Sequence, residues 1–200
     1  MSMKDVKINF ILDKAIALFL EKPIGDVTIR DVAQYAIVGE ATIYRYFASK
    51  EKLLCAAAAK LEKSIFEQYF IFPQNVDGFT ALSLFYGCYL KIFTERRELF
   101  QFINGFDAFM LSLGRTDADD YAIGLELFKS AFGDAYFRGI EDGSVKALSN
   151  WEIFYYSTAH AMLELCKKLS APNIVIQDAS HQKEKEIETL IEIILNTLKV

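Results

Sequence analysis

Proline, cysteine and histidine are all scarce in this 200-residue chain, which has three, three and two of them. Cys55, Cys88 and Cys166 are far apart, odd in number and without Cys-x-x-Cys spacing, so neither a disulfide frame nor a zinc site is expected. That usage suits a reducing cytoplasm. Long apolar runs are missing too: the longest stretch without a charged residue, Gly78 to Leu90, has 13 residues, too few to cross a bilayer. No membrane association is expected. The N-terminus, Met1-Ser2-Met3-Lys4-Asp5, lacks the succession of basic flank, apolar block and small-residue cleavage site of an export signal. Val/Ile/Thr-rich alternating runs are also lacking, which leaves little from which to build a sheet.

What is present is apolar surface and helical periodicity. Apolar residues make up 52% of the chain, enough to bury a real core and to exclude a disordered protein. The net charge of −5 argues against a general polyanion binder, but it is unevenly spread: residues 1–55 hold 8 Lys/Arg and 7 Asp/Glu, leaving 14 and 20 for the rest. Any contact with nucleic acid is therefore local to the N-terminal part. Ile8, Ile11, Leu12, Ala15, Leu18 and Phe19 form one stripe of a first helix that ends at Pro23 and Gly25. Thr28 is placed to cap a second helix by accepting from the Asp31 amide, with Val27 and Val32 as a hydrophobic staple. That helix reaches about Ala36, a short helix follows from Glu40 to Phe47, and Ser49 caps a long one running to about Phe72. Further helices are expected near 78–94, 97–113, 118–141, 150–170 and 182–199, so the fold class is all-α.

Two short helices across a tight turn have the proportions of a helix-turn-helix, whose second helix enters the major groove. Ile43 and Phe47 anchor that helix from beneath, which leaves Thr42, Tyr44, Arg45 and Tyr46 outward. On pattern alone, an ordinary helical hairpin with a solvated face is an equal reading.

The segments Thr28-Ile-Arg-Asp-Val-Ala33 and Ala36-Ile-Val-Gly-Glu-Ala-Thr-Ile-Tyr-Arg-Tyr-Phe47, followed by Ala48-Ser49-Lys50-Glu51-Lys52-Leu53-Leu54, closely resemble the N-terminal signature of TetR-family regulators. The resemblance covers about residues 8–55. It implies a three-helix DNA-binding domain over 1–52 and a helical ligand-sensing and dimerisation domain over 53–200. It further implies phosphate contacts at Thr28 and Lys50, and aromatic contacts to the sugar-phosphate backbone or a thymine methyl at Tyr44 and Tyr46. Thr42 and Arg45 are then placed to meet base edges, with Arg45 suited to guanine. Gly39, Glu40 and Ala41 complete the expected DNA-facing set. Three positions depart from the family's pattern. Ile37 stands where Gly is common, so the turn either avoids a left-handed conformation or bears its strain; Ala41 replaces a common Gly, and Gly39 a common Ser or Thr cap. Glu40 either accepts from a cytosine amino group or simply stabilises the first helical turn.

Beyond residue 55 the resemblance implies an apolar ligand cavity, for which Tyr89, Phe93, Phe106, Asp107, Met110, Phe128 and Tyr155 are the candidate lining residues. Asp107 falls within the apolar arc of its helix, either at an edge that reaches water or as a pocket carboxylate. His160 shares its wheel sector with Glu164 and Lys167 and reads as a surface histidine. No nucleophile motif, Gly-rich phosphate loop or metal spacing is found, so no catalytic site, cofactor or metal is expected. Consecutive Ile153-Phe154-Tyr155-Tyr156 offers apolar groups in several directions, and a partner chain would cover the second face. The resemblance places a homodimer interface on the helices near 150–170 and 182–199. The expected function is a ligand-responsive transcriptional regulator, most simply a repressor released from a near-palindromic double-stranded operator by a small molecule. Alternatives are an activator, a regulator governed by a protein partner, or a helical carrier or enzyme on the same scaffold.

Overall fold

The computed structural model describes residues 2–114, 119–171 and 182–200, with the backbone alone for 119–123. Among these residues there are nine helices and no strand: α1 (Met3–Glu21), α2 (Ile29–Tyr35), α3 (Glu40–Phe47), α4 (Lys50–Tyr69), α5 (Gly78–Glu95), α6 (Glu98–Ser112), α7 (Asp119–Asp142), α8 (Trp151–Ser170) and α9 (Lys183–Leu198). A single antiparallel bridge joins Val145 to Lys199. The all-α reading is correct. The expected ends agree to within about a turn, the largest difference being α4, which stops at Tyr69 rather than near Phe72. The expected start at 118 lies outside the described residues. No helix among the described residues is long and apolar enough to cross a membrane.

The chain divides into two compact units, residues 1–65 with 102–125 and residues 66–101 with 126–200. In the first, α1 packs on α2 and α2 on α3. Its core holds Ile11, Ala15, Val32, Ile43, Leu53, Leu54 and Ala57, all at or below 1% exposure. The boundary near residue 52 that the motif implies falls inside this unit. The reason is that α4 and the second half of α6 also pack there. Lys60 reaches the Asn9 carbonyl at 3.1 Å and the Asp13 carboxylate at 2.6 Å, Phe19 meets Phe102, and Cys55 lies 3.9 Å from the Met110 sulfur.

In the second unit α5 packs on α8 and α9. Tyr86 is wholly buried and its hydroxyl shares a 2.6 Å hydrogen bond with Thr158. Phe85 meets Phe70, Phe132 and Tyr155 edge to face, and Phe70 meets Tyr89 and Phe128 in the same way. The start of α5 is drawn tight onto α7: the Gly78 amide donates to Asp142 at 2.8 Å, and a β-carbon on Gly78 would overlap the backbone of Gly139 and lie 2.6 Å from the Ala135 carbonyl. Backbone cannot yield as a side-chain tip can, so Gly78→Ala must part the two helices. The expected loss is about 1–3 kcal/mol, read from the urea midpoint. A variant as stable as the parent would show the crossing to be loose.

Candidate nucleic-acid interface

The short helix α2 begins at a fully formed capping box. The Asp31 amide donates to the Thr28 hydroxyl at 3.1 Å, while the Thr28 amide and hydroxyl donate to the Asp31 carboxylate at 2.8 and 2.6 Å. These bonds hold the Asp31 carboxyl below its usual range. Thr28 is exposed, so its position beside the α2 N-terminus is open to an anion, though its hydroxyl is already committed to the cap.

Helix α3 is strongly two-faced. Ile43 and Phe47 are 0% and 8% exposed, whereas Glu40, Ala41, Tyr44 and Arg45 are exposed and Thr42 and Tyr46 are half-buried. Arg45 lies over the Tyr46 ring, 5.0 Å from its centroid, and donates to the Tyr46 hydroxyl at 3.4 Å. Gly39 precedes the helix in extended conformation, without a side-chain cap. The exposed start of α3 is therefore closed only by its own backbone, the Thr42 amide donating to the Gly39 carbonyl at 2.9 Å. Eight of the nine residues expected to face DNA thus lie on α3, its N-terminal turn or the adjoining α2 cap.

The ninth, Lys50, is differently employed. Its ammonium donates to the Ile24 carbonyl at 2.6 Å and the Gly25 carbonyl at 3.4 Å and lies 5.1 Å from the centre of the Phe109 ring. Partial burial lowers its pKa. Its geometry is that of a tie between the start of α4 and the α1–α2 loop. The sequence pattern alone could not reveal this, because the carbonyls it meets are 25 and 26 residues away.

Ile37 has φ of 52°, so the turn bears the left-handed strain rather than avoiding it. Its side chain is 92% exposed and gains no packing in return. Relief of about 1–2 kcal/mol of strain outweighs the roughly 0.5–1 kcal/mol entropic penalty of glycine. Ile37→Gly should therefore raise stability slightly in a thermal or urea melt; a clear loss would mean that Ile37 makes contacts the isolated chain does not show.

The seven residues expected around a ligand cavity are divided between the two units. Phe106, Asp107 and Met110 belong to the first unit; Tyr89, Phe93, Phe128 and Tyr155 belong to the second. Phe106, Met110, Phe93 and Tyr155 are buried, and Asp107, Tyr89 and Phe128 half-buried. A cleft of about 330 Å³ in the second unit is lined by Phe66, Phe70, Leu127, Asp134 and Arg138 among others, and by none of the seven. Their spacing marked apolar helix faces, and those faces are largely occupied by ring-on-ring packing. His160 is exposed, and no group of three or more His, Cys, Asp or Glu among the described residues is arranged to hold a metal ion.

Two charged residues escaped the sequence reading: Lys167, placed in the surface sector of His160, is 7% exposed and pairs with Glu164 at 2.6 Å, and the second is a carboxylate. Glu62 on α4 is 7% exposed, and neither carboxylate oxygen has a hydrogen-bond partner among the described residues. Burial raises its pKa from 4.5 to about 8. The signal was available: Leu54, Ala58 and Glu62 recur at four-residue spacing along the buried stripe of α4. Between pH 4.5 and about 8 the folded chain keeps a proton that the unfolded chain has lost, so stability falls as pH rises through that window. The full effect is on the order of 5 kcal/mol at about 1.4 kcal/mol per unit. Urea melts across this window should show the decline in the parent and a flatter profile in Glu62→Gln. Equal slopes would place the carboxyl in water.

Residues 11–66 match the model of a family described as bacterial regulatory proteins, tetR family. No curated protein matches the chain. Solved structures resemble it along nearly its whole length. A TetR transcriptional regulator from Rhodococcus sp. RHA1 is 19% identical with a TM-score of 0.65 and complete coverage of both chains. A TetR family transcription regulator from Marinobacter aquaeolei VT8 is 18% identical with a TM-score of 0.63, covering 98% of this chain and 97% of that one. FadR from Bacillus subtilis, solved in complex with stearoyl-CoA, is 15% identical with a TM-score of 0.66, covering 94% and 97%.

Proposed function

We propose, for a chain that through residues 11–66 belongs to the tetR family of bacterial regulatory proteins, that it is a cytoplasmic transcriptional regulator which binds a near-palindromic DNA operator as a homodimer and releases it on binding a small molecule. The observation that carries this reading is the two-faced α3, with Ile43 and Phe47 buried and a row of polar and aromatic groups exposed behind an exposed helix start. Helix α3 lies in the major groove with its N-terminal turn, Gly39 to Thr42, toward the base edges. Arg45 leaves its Tyr46 ring and reads a guanine through a bidentate contact that its planar fork suits. Tyr44 and Tyr46 lie along the backbone, and Thr28 marks the phosphate at the α2 N-terminus. Lys50 acts from behind, by fixing the loop between α1 and α2.

Two copies are needed because eight residues of recognition helix read only a few base pairs. Ile153, Tyr156 and Ile193 remain exposed on α8 and α9, at 61%, 38% and 59%, and support an interface there. The apolar stripe of α9 is already spent within the subunit, since Ile187, Ile194 and Leu198 are buried. The stearoyl-CoA held by B. subtilis FadR, which shares the fold, supports a small-molecule effector.

Selection of bound sequences from a random double-stranded pool tests the reading. Inverted repeats of a short half-site are expected, with centres about one helical turn apart or a multiple of it. Arg45→Ala should cost about 1–3 kcal/mol, concentrated at one base position, whereas Tyr44→Ala should weaken all sequences alike. No enrichment, or enrichment of a lone half-site, would overturn the operator or the dimer respectively.

A further inference from the structure

Stability alone does not account for isoleucine at position 37. Its φ of 52° belongs to the left-handed region, which glycine or asparagine occupies at little cost and a β-branched residue resists. The side chain, 92% exposed, recovers none of that cost through packing. Nor is the turn free to relax, because Ala36 and Val38 on either side donate to the Val32 and Ala33 carbonyls at 2.9 Å. The side chain is therefore held outward in one place by a backbone fixed on both flanks.

That place adjoins the bare surface at the start of α3. Gly39 follows two residues later, no more than about 7 Å along the chain, and a β-carbon added there would meet nothing within 4 Å. Glu40 and Ala41 are exposed as well, whereas Val38 is half-buried. A helix with its side chains is about 10–12 Å across and the major groove about 12 Å wide. Once the start of α3 is inside, the groove is full, and the residues just before it come against its wall. The apolar group that a base edge offers in that groove is the 5-methyl of thymine. We propose that Ile37 is a further specificity-determining residue, whose side chain packs on a thymine 5-methyl group at the edge of each half-site. This contact rests on the operator reading above and lies outside the DNA-facing set on α3 and the α2 cap. It gives the strained turn a return that the folded chain alone does not: apolar surface leaves water on both partners, and a side chain already held by a fixed turn loses little freedom in binding.

Operators selected from the random pool provide the test. Each thymine is replaced in turn, in both half-sites, by deoxyuridine, which removes only the 5-methyl group, and affinity for the full chain is read by fluorescence anisotropy. At one base pair, other than the one relaxed by Arg45→Ala, the replacement should weaken the parent roughly three- to tenfold. Ile37→Asn keeps a residue that tolerates the left-handed turn and removes the apolar branch; Ile37→Val keeps the branch. Ile37→Asn and Ile37→Gly should bind the thymine operator more weakly by a similar factor and become indifferent to deoxyuridine at that one position, while Ile37→Val follows the parent. Deoxyuridine elsewhere should cost parent and variants alike. Melts of the variants at or above the parent show that weaker binding is not a loss of fold. Deoxyuridine profiles that are the same in the parent and in Ile37→Asn, or a loss in Ile37→Asn that no deoxyuridine reproduces, would each overturn the contact and leave the operator reading standing. A pool without any enriched sequence overturns both.

Discussion

A helix of eight residues does not persist in water on its own, because nucleation is costly and too few hydrogen bonds follow it. Everything α3 presents therefore depends on the burial of Ile43 and Phe47 beneath it. Each buried side chain of that size contributes about 1.5–3 kcal/mol, and the two lie four residues apart, on the same side of the helix. Once they are fixed, the outward direction of Thr42, Tyr44 and Arg45 follows from helical geometry without any further interaction. The polar face is thus a consequence of the apolar one.

Direction is not enough; the helix must also be held at a set angle to α2, and here the structure uses two devices of opposite character. Lys50 satisfies two loop carbonyls with one ammonium, tying the α1–α2 loop to the helix that follows α3. Ile37 instead holds a left-handed turn that its branched side chain resists. The strain is tolerated because both flanks are fixed: Ala36 and Val38 donate to carbonyls of α2 at 2.9 Å. A turn hydrogen-bonded on both sides imposes its conformation on whatever residue sits between.

These two residues also mark where the sequence ceased to be legible. Helix identities, the Thr28–Asp31 box, the buried pair of α3 and the Ser49 cap, which accepts from the Lys52 amide at 3.3 Å, are all local. Their partners lie within four residues, so spacing reveals them. Lys50 was legible as a cation at a helix start and illegible as a tie, since its partners are distant in sequence. The placement of α4 and half of α6 with the N-terminal helices was hidden for the same reason. A cavity was the least legible feature, because aromatic density records burial, and burial alone does not distinguish a ring that lines a cavity from one that fills it. Glu62 is the reverse case: its periodicity is local and readable, since it continues the four-residue spacing of Leu54 and Ala58.

Asp107 and Glu62 show why position within the stripe matters more than the presence of a carboxyl. Asp107 has a short side chain and is half-buried, in an arc whose other members, such as Phe106 and Met110, are buried. Glu62 reaches farther, into space that Gly124 leaves open. Leucine at that position would bury the same volume without an unpaired polar group, and a buried polar group replaced by an apolar one is often neutral or stabilising. Stability alone therefore gives no reason for a glutamate there. Burial favours its neutral form, which makes it tolerable in the folded chain. What permits it is the room that Gly124 leaves, so the burial of this carboxyl depends on an absent side chain on another helix as much as on its own place in the stripe.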